Sequence, residues 1–132
     1  MNQETPQYGD VVAHVFASEY LGLQRMVLSG TIPETVGGLG KVTDLQLQEN
    51  QLTGTLPSEI GQMQSVKGID FGNNTLTGTV PTQFGALANL DSLLLDANFL
   101  SGSIPTEICA AGPREIVRDC AVACSCCTQA CT

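Results

Sequence analysis

What this chain lacks limits its function before any motif is read. It carries 5 Lys and Arg against 13 Asp and Glu, a net charge of −8, so it has no basic footprint for a nucleic-acid backbone. Histidine occurs once, at His14 in the weak first unit, where it reads as a surface residue with no Ser or Cys partner to activate. Aromatic residues make up 5% of the chain. Charged residues are only 14% against 42% hydrophobic, which excludes a disordered acidic tail. No apolar run approaches the length of a membrane span. Residues 2–10 are polar, without the basic start and apolar stretch of a secretory leader. Cysteine is absent before Cys109. A length of 132 residues and this composition fit one acidic domain.

What is present is a period. Pro33, Pro57, Pro81 and Pro105 recur with a period of 24, as do Gly30, Gly54, Gly78 and Gly102. Leu28, Leu52, Leu76 and Leu100 keep the same interval, and so do Val36, Ile60, Phe84 and Ile108. Asn50, Asn74 and Asn98 complete the frame. Extended backwards it catches Val12, Val15, Leu21 and Leu23 but sets Met26 where an Asn belongs. The units are 10–33, 34–57, 58–81 and 82–105, with a partial fifth from 106 that breaks after Cys109. Residues 1–9 form an extension and 109–132 a Cys-rich cap.

Within a unit, Leu45-Gln46-Leu47 alternates as a strand with one buried face does. The Asn three positions on is suited to bonding backbone at a turn, and its column predicts an internal polar ladder. Leu52 to Pro57 alternates again and predicts a second short strand. Proline ends it and opens a helical turn over 58–62 with Ile60 inward. One unit cannot bury its own leucines, whereas a stack can.

Leu87, Leu90, Leu93, Leu95, Asn98, Leu100, Gly102, Ile104 and Pro105 spell the Leu-x-x-Leu-x-Leu-x-x-Asn-x-Leu-x-Gly-x-Ile-Pro motif. Over residues 10–109 the chain thereby resembles the plant-type leucine-rich repeat family. It resembles most the branch with Thr-rich turns and a Cys-rich tail, found in extracellular proteins of diatoms and related algae. The resemblance implies an α/β solenoid. This is a right-handed superhelix with a parallel concave sheet, short second strands, short helical or 3-10 turns and a disulfide-rich C-terminal cap. It further implies a non-catalytic recognition module, extracellular or at the cell surface, that binds a protein or carbohydrate ligand.

All six cysteines, Cys109, Cys120, Cys124, Cys126, Cys127 and Cys131, are crowded into the C-terminal tail. A cap with few large apolar residues is best held by disulfides, and six thiols fit three bridges of open connectivity. A zinc site usually has separated pairs of cysteines, so disulfides are preferred to a metal. Cys109 takes the column that is Gly in earlier units, which predicts a staple from the tail to the last rung. Asn73-Asn74-Thr75 is an N-glycosylation sequon whose Asn73 should face outward.

Concave positions are Tyr20, Gly22 and Gln24; Asp44, Gln46 and Gln48; Gly68, Asp70 and Gly72; Ser92, Leu94 and Asp96. Gln46, Gln48, Asp70, Leu94 and Asp96 are the candidate partner contacts, with Leu94 the exposed aliphatic anchor of a four-stranded sheet about 14 Å across. Asp44, Asp70 and Asp96 fall in three different columns, which suits a solvated acidic face better than a paired-carboxylate centre. The repeating glycines belong to the frame and form no phosphate loop. No catalytic residue, cofactor or metal is expected.

The second strands carry Ser29, Thr31, Thr53, Thr55, Thr77, Thr79, Ser101 and Ser103 in two hydroxyl columns. A flat array of that kind is found in ice-binding solenoids, which ranks as the lower alternative. Self-assembly through an uncapped N-terminal rung is the other. The missing N-terminal cap and leader suggest an incomplete or processed product. A helical lid over 11–20, with Asp10 as N-cap, would also cover that end.

Overall fold

The computed structural model describes residues 19–127 and 131. His14, Asp10 and positions 11–18 of the expected lid and first rung lie outside the described residues, and Tyr20 opens a strand.

One face is a five-stranded parallel sheet of β1 (Tyr20–Gly22), β3 (Asp44–Gln46), β5 (Gly68–Asp70), β7 (Ser92–Leu94) and β9 (Glu115–Val117), in that order. The period sets its register over the first four strands, for Leu21 pairs with Leu45, Leu45 with Ile69 and Ile69 with Leu93, and Ile116 of β9 pairs with Leu93 one residue short of it. On the other side run β2 (Ser29–Thr31) with β4 (Gln51–Thr53), and β6 (Thr77–Gly78) with β8 (Phe99–Leu100). Isolated bridges Thr55–Thr77 and Ser103–Ala123 continue this ladder. The inward columns Leu45, Leu47, Leu52, Ile60, Met63, Ile69, Phe71, Leu76 and Phe84 are fully buried between the two sides.

Between the sides, 3-10 helices Glu34–Gly38, Ser58–Gln62 and Thr82–Ala86 each follow an extended proline. They stack on one another through Gly37, Gly61 and Gly85. A Cβ on Gly37 would stand 2.5 Å from the Glu59 carbonyl oxygen, and one on Gly61 would strike that of Gln83. The next member of the column is Cys109, in α1 (Thr106–Ala111), where no further helix stacks among the described residues.

The asparagine ladder forms as expected. Asn74 Nδ2 donates to the carbonyls of Leu47, Phe71 and Gly72 at 3.0, 3.1 and 3.3 Å, and its Oδ1 accepts from Leu52 N–H at 3.0 Å. Asn50 and Asn98 repeat the pattern one rung away on either side. The bonds hold the preceding residue in the left-handed region, with φ 58° at Glu49, 56° at Asn73 and 56° at Ala97, a conformation that disfavours most side chains.

The sheet has five strands where four were expected. The tail does not leave the solenoid after Cys109 but completes a rung. α1 stands in for the 3-10 turn, Ile116 and Val122 are buried, and Asp119 takes the ladder position. Its carboxylate accepts from Ala97 N–H at 2.7 Å and Asn98 N–H at 3.0 Å. Four gaps of about 4.8 Å make the concave sheet about 19 Å wide.

Three disulfides lock this rung, Cys109–Cys126, Cys120–Cys131 and Cys124–Cys127. The first is the expected staple. It joins α1 to the tail across 17 residues.

Candidate interaction surface

Strand alternation turns every second side chain of the first sheet away from the core. The register gathers these side chains into columns. Asp44, Gly68, Ser92 and Glu115 form one, and Gln46, Asp70, Leu94 and Val117 a second. Gln24, Gln48, Gly72 and Asp96, two positions further along each strand, form a third.

Three of the five candidate contacts, Gln46, Asp70 and Leu94, thus lie side by side. Gln48 Nε2 donates to Gln46 Oε1 at 3.0 Å, so these two amides hold each other. Asp70 and Asp96 meet around Gly72. A Cβ there would stand 3.2 Å from one carboxylate oxygen of each, so the missing side chain makes the room they share. Burial raises the Asp70 carboxyl above its ordinary value. Its bond from Gly72 N–H, at 2.9 Å, works against that shift, while the negative charges of Asp96, Glu49 and Glu115 add to it. The charges that raise Asp70, those of Asp96, Glu49 and Glu115, are all acidic.

Leu94 is half-buried, not the exposed anchor expected of it, because the fifth strand flanks it with Val117. Among the described residues the large exposed apolar side chains are Tyr20 (54%), Met26 (59%), Val27 (70%) and Phe99 (68%). Tyr20 lies on the concave face with its ring across Gly22. Its place was legible in the sequence, but its reach depends on that glycine.

On the opposite side, Thr31, Thr53, Thr55, Thr77, Thr79, Ser101 and Ser103 are all exposed. Their register is oblique, with Thr31 pairing with Thr53 and Thr55 with Thr77. Thr31, Thr55 and Thr79 have a packing role that the sequence did not reveal. Their methyls come 2.8, 2.9 and 3.1 Å from where a Cβ would stand on Gly54, Gly78 and Gly102, whose positive φ of 77°, 81° and 77° also favours glycine. Thr77 and Ser101 donate back to the carbonyls of Gly54 and Gly78 at 3.4 Å. Phe99, paired with Thr77, interrupts the array. Next to Thr31 and Thr55 runs an open groove of about 660 Å³ that includes Pro33, Pro57, Pro81, Glu34 and Glu59 in its wall.

Asn73 is exposed beside the buried Asn74, as expected of the sequon, and Thr75 Oγ1 donates to Leu52 O at 2.7 Å. Among the described residues no helix is long and apolar enough to cross a membrane.

The leucine-rich repeat family model matches residues 40–100. No curated protein matches the chain significantly. Among solved structures, the chain is similar to the plant peptide hormone receptor RGFR1 in complex with RGF2, at 34% identity over 74% of this chain and 19% of that one, with a TM-score of 0.63. It is similar to the BIR3–SERK2 complex from Arabidopsis thaliana at 35% identity over 75% and 55%, TM-score 0.69. A plant ice-binding protein matches at 30% identity over 82% and 34%, TM-score 0.72. In each case the chain spans less than two thirds of the matched protein's length.

Proposed function

The chain belongs to the plant-type leucine-rich repeat family and is a non-catalytic interaction module, and on that premise we propose that it binds a basic protein or peptide segment across its concave sheet, outside the cell. The observation that carries this reading is the Asp70–Asp96 pair. Two carboxylates share the space above Gly72 and Asp70 is held above its ordinary value by burial and by acids. A Lys or Arg arriving there relieves both costs. Leu94 and Val117, in the same column as Asp70, offer apolar contact beside the charge. The likeness to a receptor solved with a peptide hormone supports a peptide-like ligand, and three disulfides suit an oxidising compartment. Selection from a random peptide library tests it. Enriched peptides should be rich in Lys and Arg, and Asp70→Lys should abolish their binding while Thr55→Lys with Thr79→Lys leaves it intact. Neutral or acidic peptides, or binding indifferent to Asp70→Lys, would refute the reading.

A second reading, ice binding through the Ser/Thr side, is supported by the likeness to a plant ice-binding protein. It ranks lower because the Thr31, Thr55 and Thr79 methyls pack on glycines and the Thr77 and Ser101 hydroxyls bond to backbone. It requires inhibition of ice recrystallisation that disappears in the Thr55→Lys, Thr79→Lys variant while folding persists. Modification at Asn73 belongs to the same extracellular assignment, and a glycosidase-sensitive mass lost in Asn73→Gln is its signature.

A further inference from the structure

A second concavity lies away from the concave sheet, at the corner where a second strand gives way to a 3-10 helix. It is the open groove of about 660 Å³ beside Thr31 and Thr55. Pro33, Pro57 and Pro81 line it, one from each of three successive rungs, so it spans two gaps of about 4.8 Å. Each proline is extended, with ψ of 148°, 133° and 140°, and has no N–H to offer. Ile32 and Leu56 also line the groove but are buried. Its accessible hydrocarbon is therefore mostly proline ring.

Charge in the wall is of one sign. Glu34 and Glu59 line the groove, and no Lys, Arg or His does. Neither acid is in an ion pair among the described residues, whose salt bridges are Arg25–Glu49 and Arg114–Asp91. Glu59 has only a long contact from Ser58 Oγ, at 3.5 Å. The helix stack sets the spacing of the two acids. Glu34 and Gly37 are one 3-10 turn apart, about 6 Å on the same side of the helix. The Cβ of Glu59 stands 3.0 Å from where a Cβ on Gly37 would be. The two side chains thus leave the backbone about one turn from each other.

Hydrocarbon beside two unpaired carboxylates at that separation is the complement of a short alkyl chain with an ammonium at each end. A four-carbon diamine has five single bonds of about 1.5 Å between its nitrogens, about 6 Å end to end when extended. Its methylenes lose water against the prolines while its ends meet the acids. A compact divalent cation fits less well. Hard cations take about six or more oxygens, and among the described residues no three carboxylates converge.

We propose that this groove binds a linear alkyl diamine of about four carbons, one ammonium on Glu34 and the other on Glu59. The association is ionic and apolar, with no bond made or broken. The site shares no residue with the concave sheet, so it does not depend on what that sheet binds.

The full disulfide-bonded chain, labelled with nitrogen-15, is titrated with butane-1,4-diamine at neutral pH and followed by NMR. Amide signals of Thr31, Glu34, Thr55, Ser58 and Glu59 should shift and saturate together, in the millimolar range that two exposed ion pairs support. Butylamine has one ammonium and Mg2+ has the charge without the methylenes, so each should bind about threefold or more weakly than the diamine. Glu34→Gln and Glu59→Gln should each weaken diamine binding about two- to fivefold, with thermal melts confirming that both variants fold. Glu107→Gln, outside the groove, should bind as the parent does. No shift at these amides, shifts centred on Gly72 and Asp96, equal affinity for Mg2+, or unchanged affinity in both groove variants would overturn the proposal.

Discussion

Asparagine 74 offers the sharpest test of how the stack holds together. It is a buried polar residue, 6% exposed, whose side chain makes four backbone bonds across two rungs. Asn74→Ala removes all four and strands their partners in the core. At about 0.5–1.5 kcal/mol per bond the loss is about 2–6 kcal/mol, a large part of the roughly 5–15 kcal/mol that holds a domain folded. Asn74→Asp is nearly isosteric and keeps the acceptor for Leu52 N–H, but it turns an oxygen toward the three carbonyls that Nδ2 served. A charged carboxylate there has no compensation, and the cost at neutral pH should reach about 3–5 kcal/mol. Its folded pKa must rise above the unfolded value of about 3.9. The penalty is therefore full above the folded pKa and shrinks as pH falls through it toward the unfolded one. Urea unfolding with disulfides intact, at pH 7 and in acid, measures both effects as midpoint shifts at constant slope. A loss under about 0.5 kcal/mol for Asn74→Ala, or an Asp variant as stable as the parent at pH 7, would refute the reasoning. The chain contains its own control. Asp119 sits at the last rung and faces two N–H donors, so an acid is tolerated there.

Three further outcomes follow from the same geometry. Gly61→Ala drives a Cβ into the Gln83 carbonyl and should lower stability by about 1–3 kcal/mol in thermal melts. Leu47→Asp buries a charge at a fully buried position and should abolish cooperative unfolding by circular dichroism. Asp70→Asn should stabilise the fold at neutral pH. The raised Asp70 pKa means its charged form weakens the folded state above that pKa, and the gain should vanish once both states are protonated. Melts of parent and variant at pH 7 and pH 3 would show converging midpoints.

The scaffold was legible because its rules are periodic. Ile60 inward, the Asn ladder and the Gly column closed by Cys109 each follow from repeated spacing. The fifth strand was not legible. Ile116, the partner of Leu93, falls one place short of the period, Asp119 replaces the asparagine, and the cysteines drew attention to covalent closure where a rung was also present. The candidate site was half legible. Alternation chose the concave residues, but the half-burial of Leu94 and the meeting of Asp70 with Asp96 depend on neighbouring strands. The function of the Thr31, Thr55 and Thr79 methyls depends on a staggered register that no single repeat displays. Pairing of the six thiols depended on three-dimensional proximity alone.

The glycine column has a consequence for how such a molecule changes length. Gly37, Gly61 and Gly85 each accept a neighbour at close quarters, whereas Cys109 turns that docking surface into a bonded terminus. A duplicated block of one full period can be spliced between existing coils and meet the same glycine on both flanks. It cannot be added beyond the cysteine without undoing the staple. Growth of the array is therefore confined to its interior and its upstream end, while the downstream terminus is inherited as a finished piece.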